Sequence, residues 1–291
     1  MSERKKKSTG ELKPSPTLER NMKQVQLEQK IKSNMENIRH KIAVISGKGG
    51  VGKTTIAANL ALFLASKNDT VGVLDVDITG PNMHKILGIT ERPEIDPNDQ
   101  SIIPVKGPLN MKVMSMAFLL DSDQTPVIWR GPMKMSIIRE FLGTVAWGPL
   151  DYLVVDLPPG TGDETLDIMQ LVKPLDGVLI VTTSQDMSLI SVSKTISMAM
   201  KMDVNVLGVI ENMSTYTCPT CGHESHVFGK AGAAEAMAGQ FNVPFLGSIP
   251  LEPIDVQFGC GDLSSEKEEG SAKSAFKVIF EDLYSKLQGN P

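Results

Sequence analysis

The sequence predicts an α/β protein: a doubly wound, mostly parallel sheet flanked by helices. Three observations carry this expectation. Seven apolar, β-branched runs recur along the chain, and within each the apolar residues are continuous rather than alternating, as in strands buried on both faces. Helical stretches separate most of these runs, which is the layout of βαβ units. The first run also leads straight into a glycine-rich loop and then an alanine-rich stretch, the order of a strand, a phosphate-binding turn and a helix.

The strand candidates, in order, are "KIAVIS" (41–46), "TVGVLDVD" (70–77), "MKVMSM" (111–116), "DYLVVDLP" (151–158), "DGVLIVTT" (176–183), "NVLGVIEN" (205–212) and "VPFLGSIP" (243–250). Helices are expected near 53–67, 132–143, 163–173, 187–201 and 230–240. A last helix over 271–288 places Phe276, Ile279, Phe280, Leu283 and Leu287 on one face. The stretch 88–110, rich in Pro, Asp and Gly, reads as an inserted loop. Residues 1–37 are polar and begin with a lysine run; a helix over 17–39 would have few apolar residues to anchor it. They are expected to form a flexible N-terminal arm ahead of one domain spanning 38–291, with Lys5, Lys6 and Lys7 solvated.

Composition narrows the class. Apolar residues make up 41% and charged residues 22% of 291, an ordinary soluble-globular balance. A net charge of −5 gives no overall attraction to nucleic acid or anionic lipid. Three cysteines, two of them close together, exclude a disulfide scaffold and suit a reducing, cytoplasmic setting. The opening "MSERKKKSTG" is charged, has no apolar segment after it and does not read as a secretory signal. No run approaches the roughly 18 apolar residues of a membrane helix.

The loop after the first strand, "SGKGGVGKTT" (46–55), fits G-x-x-x-x-G-K-[ST] through Gly47, Gly52, Lys53 and Thr54. Glycines allow backbone N–H groups to turn inward around phosphate oxygens, and the positive end of the following helix faces them. The Lys53 ammonium would reach the β- and γ-phosphates of ATP, and the Thr54 hydroxyl would ligate Mg²⁺.

With Lys48 added, "KGGVGKTT" resembles the deviant Walker A motif of the MinD/ParA/nitrogenase-iron-protein class of P-loop NTPases. The resemblance implies nucleotide contacts along Gly47, Lys48, Gly49, Gly50, Val51, Gly52, Lys53, Thr54 and Thr55. It also implies that Lys48 crosses a homodimer interface to the other subunit's nucleotide, a cation supplied in trans. Asp77, in "LDVDITGPN", matches the position that orients the attacking water; Asp75 is the rival carboxylate, and either acid could instead cap the next helix. Asp156, in "LVVDLPPGTGD", resembles the Walker B acid that holds a Mg²⁺-bound water, with Gly160 in a switch segment. Asn212 resembles the class residue that contacts adenine, although a turn-forming Asn reads equally well from local sequence.

Three segments, "WRGPM" (129–133), "DYLVVDLPPGTGD" (151–163) and "ENMSTYTCPTCG" (211–222), resemble Mrp/ApbC-type ATPases, which carry and deliver iron–sulfur clusters. The likeness spans roughly residues 38 to 285. Cys218 and Cys221, in a metal loop at 212–228, follow directly after Asn212. In a class that dimerises with its nucleotide faces opposed, one pair per subunit would place four thiolates around a [4Fe–4S] cluster. The implied activity is ATP hydrolysis coupled to cluster transfer, with a cluster scaffold and apo-proteins as partners.

The alternatives are a zinc bound by the same thiolates, or by Cys218 and Cys221 with His223 or His226, and a redox dithiol. A zinc-bearing positioning ATPase related to MinD and ParA is the competing function. The chain departs from other relatives: residues 1–217 hold no cysteine, so an N-terminal four-cysteine cluster is excluded. The ending "FEDLYSKLQGNP" has no basic face for a membrane, and the acidic balance argues against DNA. Cys260 reads as a plain thiol.

Overall fold

The computed structural model describes residues 16–78, 80–120, 131–252 and 271–289. Helix α1 (Pro16–Glu36) leads into strand β1 (Ile38–Ser46), helix α2 (Lys53–Ser66), strand β2 (Val71–Asp75) and the short helix α3 (Met83–Ile86). Three two-residue strands follow, β3 (Glu94–Ile95), β4 (Ile102–Ile103) and β5 (Val105–Lys106), and then β6 (Lys112–Ser115). The chain continues through α4 (Gly131–Thr144), β7 (Leu150–Asp156), α5 (Asp163–Leu171), β8 (Gly177–Thr182) and α6 (Asp186–Lys201). It finishes with β9 (Val206–Thr217), β10 (Glu224–Ser225), α7 (Ala233–Gln240), β11 (Phe245–Leu251) and α8 (Ala272–Gln288).

The main sheet runs β10-β9-β8-β1-β7-β2-β6-β5, with β11 on the other side of β9. Every pairing among β1, β2, β6, β7, β8, β9 and β11 is parallel; β5 and β10 are antiparallel additions. Continuous apolar runs became the central strands because both faces are covered. One layer packs α2 and α8 on the sheet, and Phe63 and Phe280 meet at 5.7 Å. The other face carries residues of α1, α4, α5, α6 and α7. All five predicted face residues of α8 are buried, and Ser271 caps its start by accepting from the Ser274 N–H at 3.2 Å.

Two expectations need correction. Residues 16–36 are not a loose arm: α1 lies against α4, burying Ile31 and Met35 beside Phe141 and Leu142. The side-chain amide of Asn34 donates to the Leu142 carbonyl at 2.9 Å. A side chain at Gly143 would come within 2.5 Å of Leu27, so the bare glycine permits the close crossing. A few well-placed apolar residues were enough, and residues 1–15 lie outside the described ones. The stretch 88–110 is not wholly a loop either, since β3 pairs with β4 and β5 extends the sheet edge. Among the described residues no helix is long and apolar enough to cross a membrane.

Candidate functional site

The carboxyl ends of parallel strands form the crevice in which open α/β sheets bind ligands. Here β1, β2, β7, β8 and β9 all deliver polar side chains to that edge. β2 and β7 pair with Asp75 opposite Asp156, so two carboxyl groups stand side by side. Asp75 is fully buried, and burial pushes its carboxyl up to about 7, assisted by the neighbouring Asp156 charge and opposed by the Ser115 hydroxyl. Its Oδ2 accepts from Ser115 Oγ at 2.8 Å and its Oδ1 from the Asp77 N–H at 3.1 Å.

The phosphate loop closes over this floor. Gly50 and Gly52 have φ of +79° and +83°, a left-handed backbone that favours glycine, and Gly52 starts α2. Lys53 Nζ donates to Asp156 Oδ1 at 2.5 Å and lies 3.6 Å from Asp77 Oδ2. Thr54 Oγ1 donates to Asp156 Oδ2 at 2.6 Å, which leaves the hydroxyl lone pairs directed away from Asp156 and able to meet a cation. Burial pushes the Asp156 carboxyl above its ordinary range, while the Lys53 ammonium and the Thr54 hydroxyl hold charge on it. Gly160, in the loop after β7, has φ +95° and donates its N–H to the Ser46 carbonyl at 2.8 Å.

Around this centre, Gly47 packs so closely on Ser191 of α6 that a side chain would collide with it. Gly49 and Gly50 are exposed and open toward solvent, Val51 is buried, and Thr55 lies half-buried in the first turn of α2. Lys48 has a different partner from Lys53: its Nζ donates to Gln185 Oε1 at 2.5 Å. The Asn212 amide donates to the Val51 carbonyl at 3.0 Å and sits where a side chain on Gly52 would have to go. In this structure Asn212 therefore braces the phosphate loop. Trp129, Arg130 and Cys260 lie outside the described residues.

Cys218 and Cys221 stand outside this network. β9 extends past its pairing with β8, ending at Thr217, and β10 folds back on it with Ser225 opposite Tyr216. At the tip the Cys218 N–H donates to the His223 carbonyl at 3.0 Å and the Gly222 N–H to the Cys218 carbonyl at 2.8 Å. Cys218 is half-buried and Cys221 exposed. Hydrogen bonds from the backbone of Thr220 and of Cys221 hold the Cys218 thiol below its usual value, favouring the thiolate that metals bind. His226, exposed overall, donates from Nδ1 to the Ser214 carbonyl at 3.2 Å. Among the described residues no group of three or more His, Cys, Asp or Glu side chains is placed to hold a metal. One chain thus presents two thiols at the hairpin tip.

Two polar residues that the motifs did not single out belong to this region. Gln185 holds Lys48, and Glu211, buried just before Asn212, accepts from Ser184 Oγ and, at 2.7 Å, from Ser248 Oγ. An acid closing an apolar strand was the available signal for Glu211; nothing local marks Gln185.

A family model described as ParA, NUBPL iron-transfer P-loop NTPase, matches residues 37–284. The chain is 43% identical over 264 residues to a protein from Methanocaldococcus jannaschii named iron-sulfur cluster carrier protein, covering 91% of this chain and 90% of that one. It is 40% identical over 265 residues to the cytosolic Fe-S cluster assembly factor CFD1 of Saccharomyces cerevisiae, covering 88% and 89%. Among solved structures it is similar to a nucleotide-binding protein from Archaeoglobus fulgidus in complex with ADP, found with cobalt. That match has a TM-score of 0.67 at 36% identity, with 91% of this chain and 94% of that chain covered.

Proposed function

The chain belongs to the ParA/NUBPL iron-transfer P-loop NTPase family, and from that premise we propose that it is an ATP-hydrolysing iron–sulfur cluster carrier acting as a homodimer in the cytoplasm. Its cargo is a [4Fe–4S] cluster held by Cys218 and Cys221 of two copies and passed to apo-proteins. The observation that carries this reading is a pair of thiols, Cys221 exposed and Cys218 half-buried, at the end of the strand that braces a complete phosphate loop. Four thiolates are what a [4Fe–4S] cluster takes, and a site completed only by a second copy can open to release its cargo.

Lys53 would exchange its carboxylate partners for the β- and γ-phosphate oxygens of ATP, and the glycine backbone would wrap them. Mg²⁺ beside Thr54, when bound, neutralises charge on those phosphates. Asp77, 3.6 Å from Lys53 and nearer solvent than Asp75, suits the orienting of an attacking water; Asp75 is committed to Ser115 and to the backbone. Lys48 would leave Gln185 to reach the nucleotide of the second copy. The Asn212 amide, seen here on the Val51 carbonyl, is assigned in addition to the adenine side.

A second reading, a positioning ATPase with structural zinc, draws on the Cys218–Gly222 turn, a knuckle that suits zinc as well as iron. Metal analysis of anaerobically purified protein separates them. Iron with broad visible absorption supports the carrier, and stoichiometric zinc that survives handling overturns it.

A further inference from the structure

Glu211 and Asn212 are consecutive on β9, so their side chains leave opposite faces of the sheet. Their apolar neighbours show the same split: Ile210 joins the α2 layer and Val209 the α6 layer. Asn212 grips the phosphate loop at the Val51 carbonyl. Glu211 grips the turn after β8, because one carboxylate oxygen accepts from Ser184 and the other from Ser248 of β11. Both Ser184 and Glu211 are 2% exposed. The next residue in that turn, Gln185, holds Lys48 at 2.5 Å.

The return limb of the cysteine hairpin closes the circuit. Gly229 lies flat on the Ser184 carbonyl, so closely that any side chain there would collide with it. The outgoing limb continues from Glu211 through Ser214, whose carbonyl receives His226, to Cys218. Ser184 is therefore fixed on one side by the strand that leads into the hairpin and on the other by the segment that leaves it. When Lys48 releases Gln185, the turn can move only with both limbs.

We propose that Glu211 is a positioning residue that couples the nucleotide loop to the Cys218–Cys221 hairpin through Ser184, with Gly229 as its counterpart on the return limb. This deepens the carrier reading and depends on it for what the hairpin holds, but its test needs no iron. Alkylation rates of Cys218 and Cys221 are measured in metal-free protein, with and without ATP, for the parent, Glu211→Gln and Gly229→Ala. ATP affinity is measured alongside, because neither residue touches the phosphate loop. In the parent ATP should change the alkylation rate about fivefold or more, the scale of an ordinary coupling between sites. In both variants that ratio should fall toward one, while ATP affinity stays within about twofold, the shift expected of a residue outside the binding contacts. Glu211→Gln keeps the shape and Gly229→Ala perturbs the other side of Ser184, so a folding defect in one leaves the other to decide. A parent ratio of one, or variants that retain the parent's ratio, overturns the coupling. Absence of iron from the purified parent overturns the carrier reading instead.

Discussion

The phosphate loop and the cysteine hairpin lie on the same strand-end edge yet are built in opposite ways. In the loop the polar side chains find partners within the chain: Lys53 lies on Asp156 and near Asp77, Thr54 on Asp156 and Lys48 on Gln185. Lys53, Asp77 and Asp156 are all buried. The hairpin holds Cys218 mainly with backbone hydrogen bonds and leaves Cys221 exposed. A preorganised centre suits chemistry on a bound nucleotide, because fixed dipoles need no rearrangement in the transition state. An incomplete thiol pair suits cargo that must be taken up and surrendered.

The sharpest break between the two regions is to remove the thiols. The Cys218→Ala/Cys221→Ala variant is expected to lose all bound iron and all transfer to an apo-protein, while ATP affinity changes less than about twofold, since neither cysteine touches the loop. Cluster delivery at the parent's rate would show that the carrier site lies elsewhere. The converse variant, Lys53→Ala, should lose hydrolysis by about 100-fold or more, the scale for removing one preorganised donor from a charged transition state. Its hairpin should still bind metal. Hydrolysis at the parent's rate would remove the loop assignment.

Lys48→Ala sharpens the contrast within the loop. Nucleotide binding should persist, and hydrolysis should fall by roughly 10-fold or more, short of the largest effects known for a cation in trans. A dimer of this variant that hydrolyses normally would confine Lys48 to its Gln185 contact. The smallest effect concerns the loop's floor. Because the Asp75 carboxyl is raised to about 7 by burial, the folded chain holds that proton more tightly than the unfolded chain does. Its contribution to stability is fully present below the ordinary carboxylate range and is lost as pH rises through about 7. Thermal melts of the nucleotide-free protein should therefore decline from pH 5 to pH 7.5, roughly the interval in which this carboxyl titrates. Asp75→Asn, which mimics the protonated form, should flatten the decline. An unchanged slope in Asp75→Asn would locate the dependence elsewhere.

Sequence and structure agree where one periodicity dominates. "KIAVIS", "DYLVVDLP" and "DGVLIVTT" became central strands, and α8 buried the five residues its spacing selected. Agreement is poorer where partners come from afar. "STYT" looked like loop, yet β9 runs through it because β11 and β10 supply hydrogen bonds there. Helix α1 looked unanchored because Gly143 and Phe141, more than a hundred residues away, make its seat. At the site, sequence reading pointed to Lys53 and Thr54 by loop spacing and to Asp77 and Asp156 by family resemblance, and the fold places them together. It left Asp75 and Asp77 unranked; burial under Ser115 separates them. Gln185 escaped notice because its role depends on tertiary neighbours alone, and for Glu211 the one local signal, an acid closing an apolar run, does not reveal its partners Ser184 and Ser248.

The central claim, that the hairpin is half of a site completed by a second copy, is tested most directly by metal content in mixed dimers. Reconstituted parent should hold about two irons per chain, one four-iron cluster per dimer. Dimers pairing a parent chain with a Cys218→Ala/Cys221→Ala chain should bind almost no iron, because two thiolates do not hold a four-iron cluster. Half the parent's metal in those dimers, together with cluster-loaded monomers in sedimentation, would contradict the shared site.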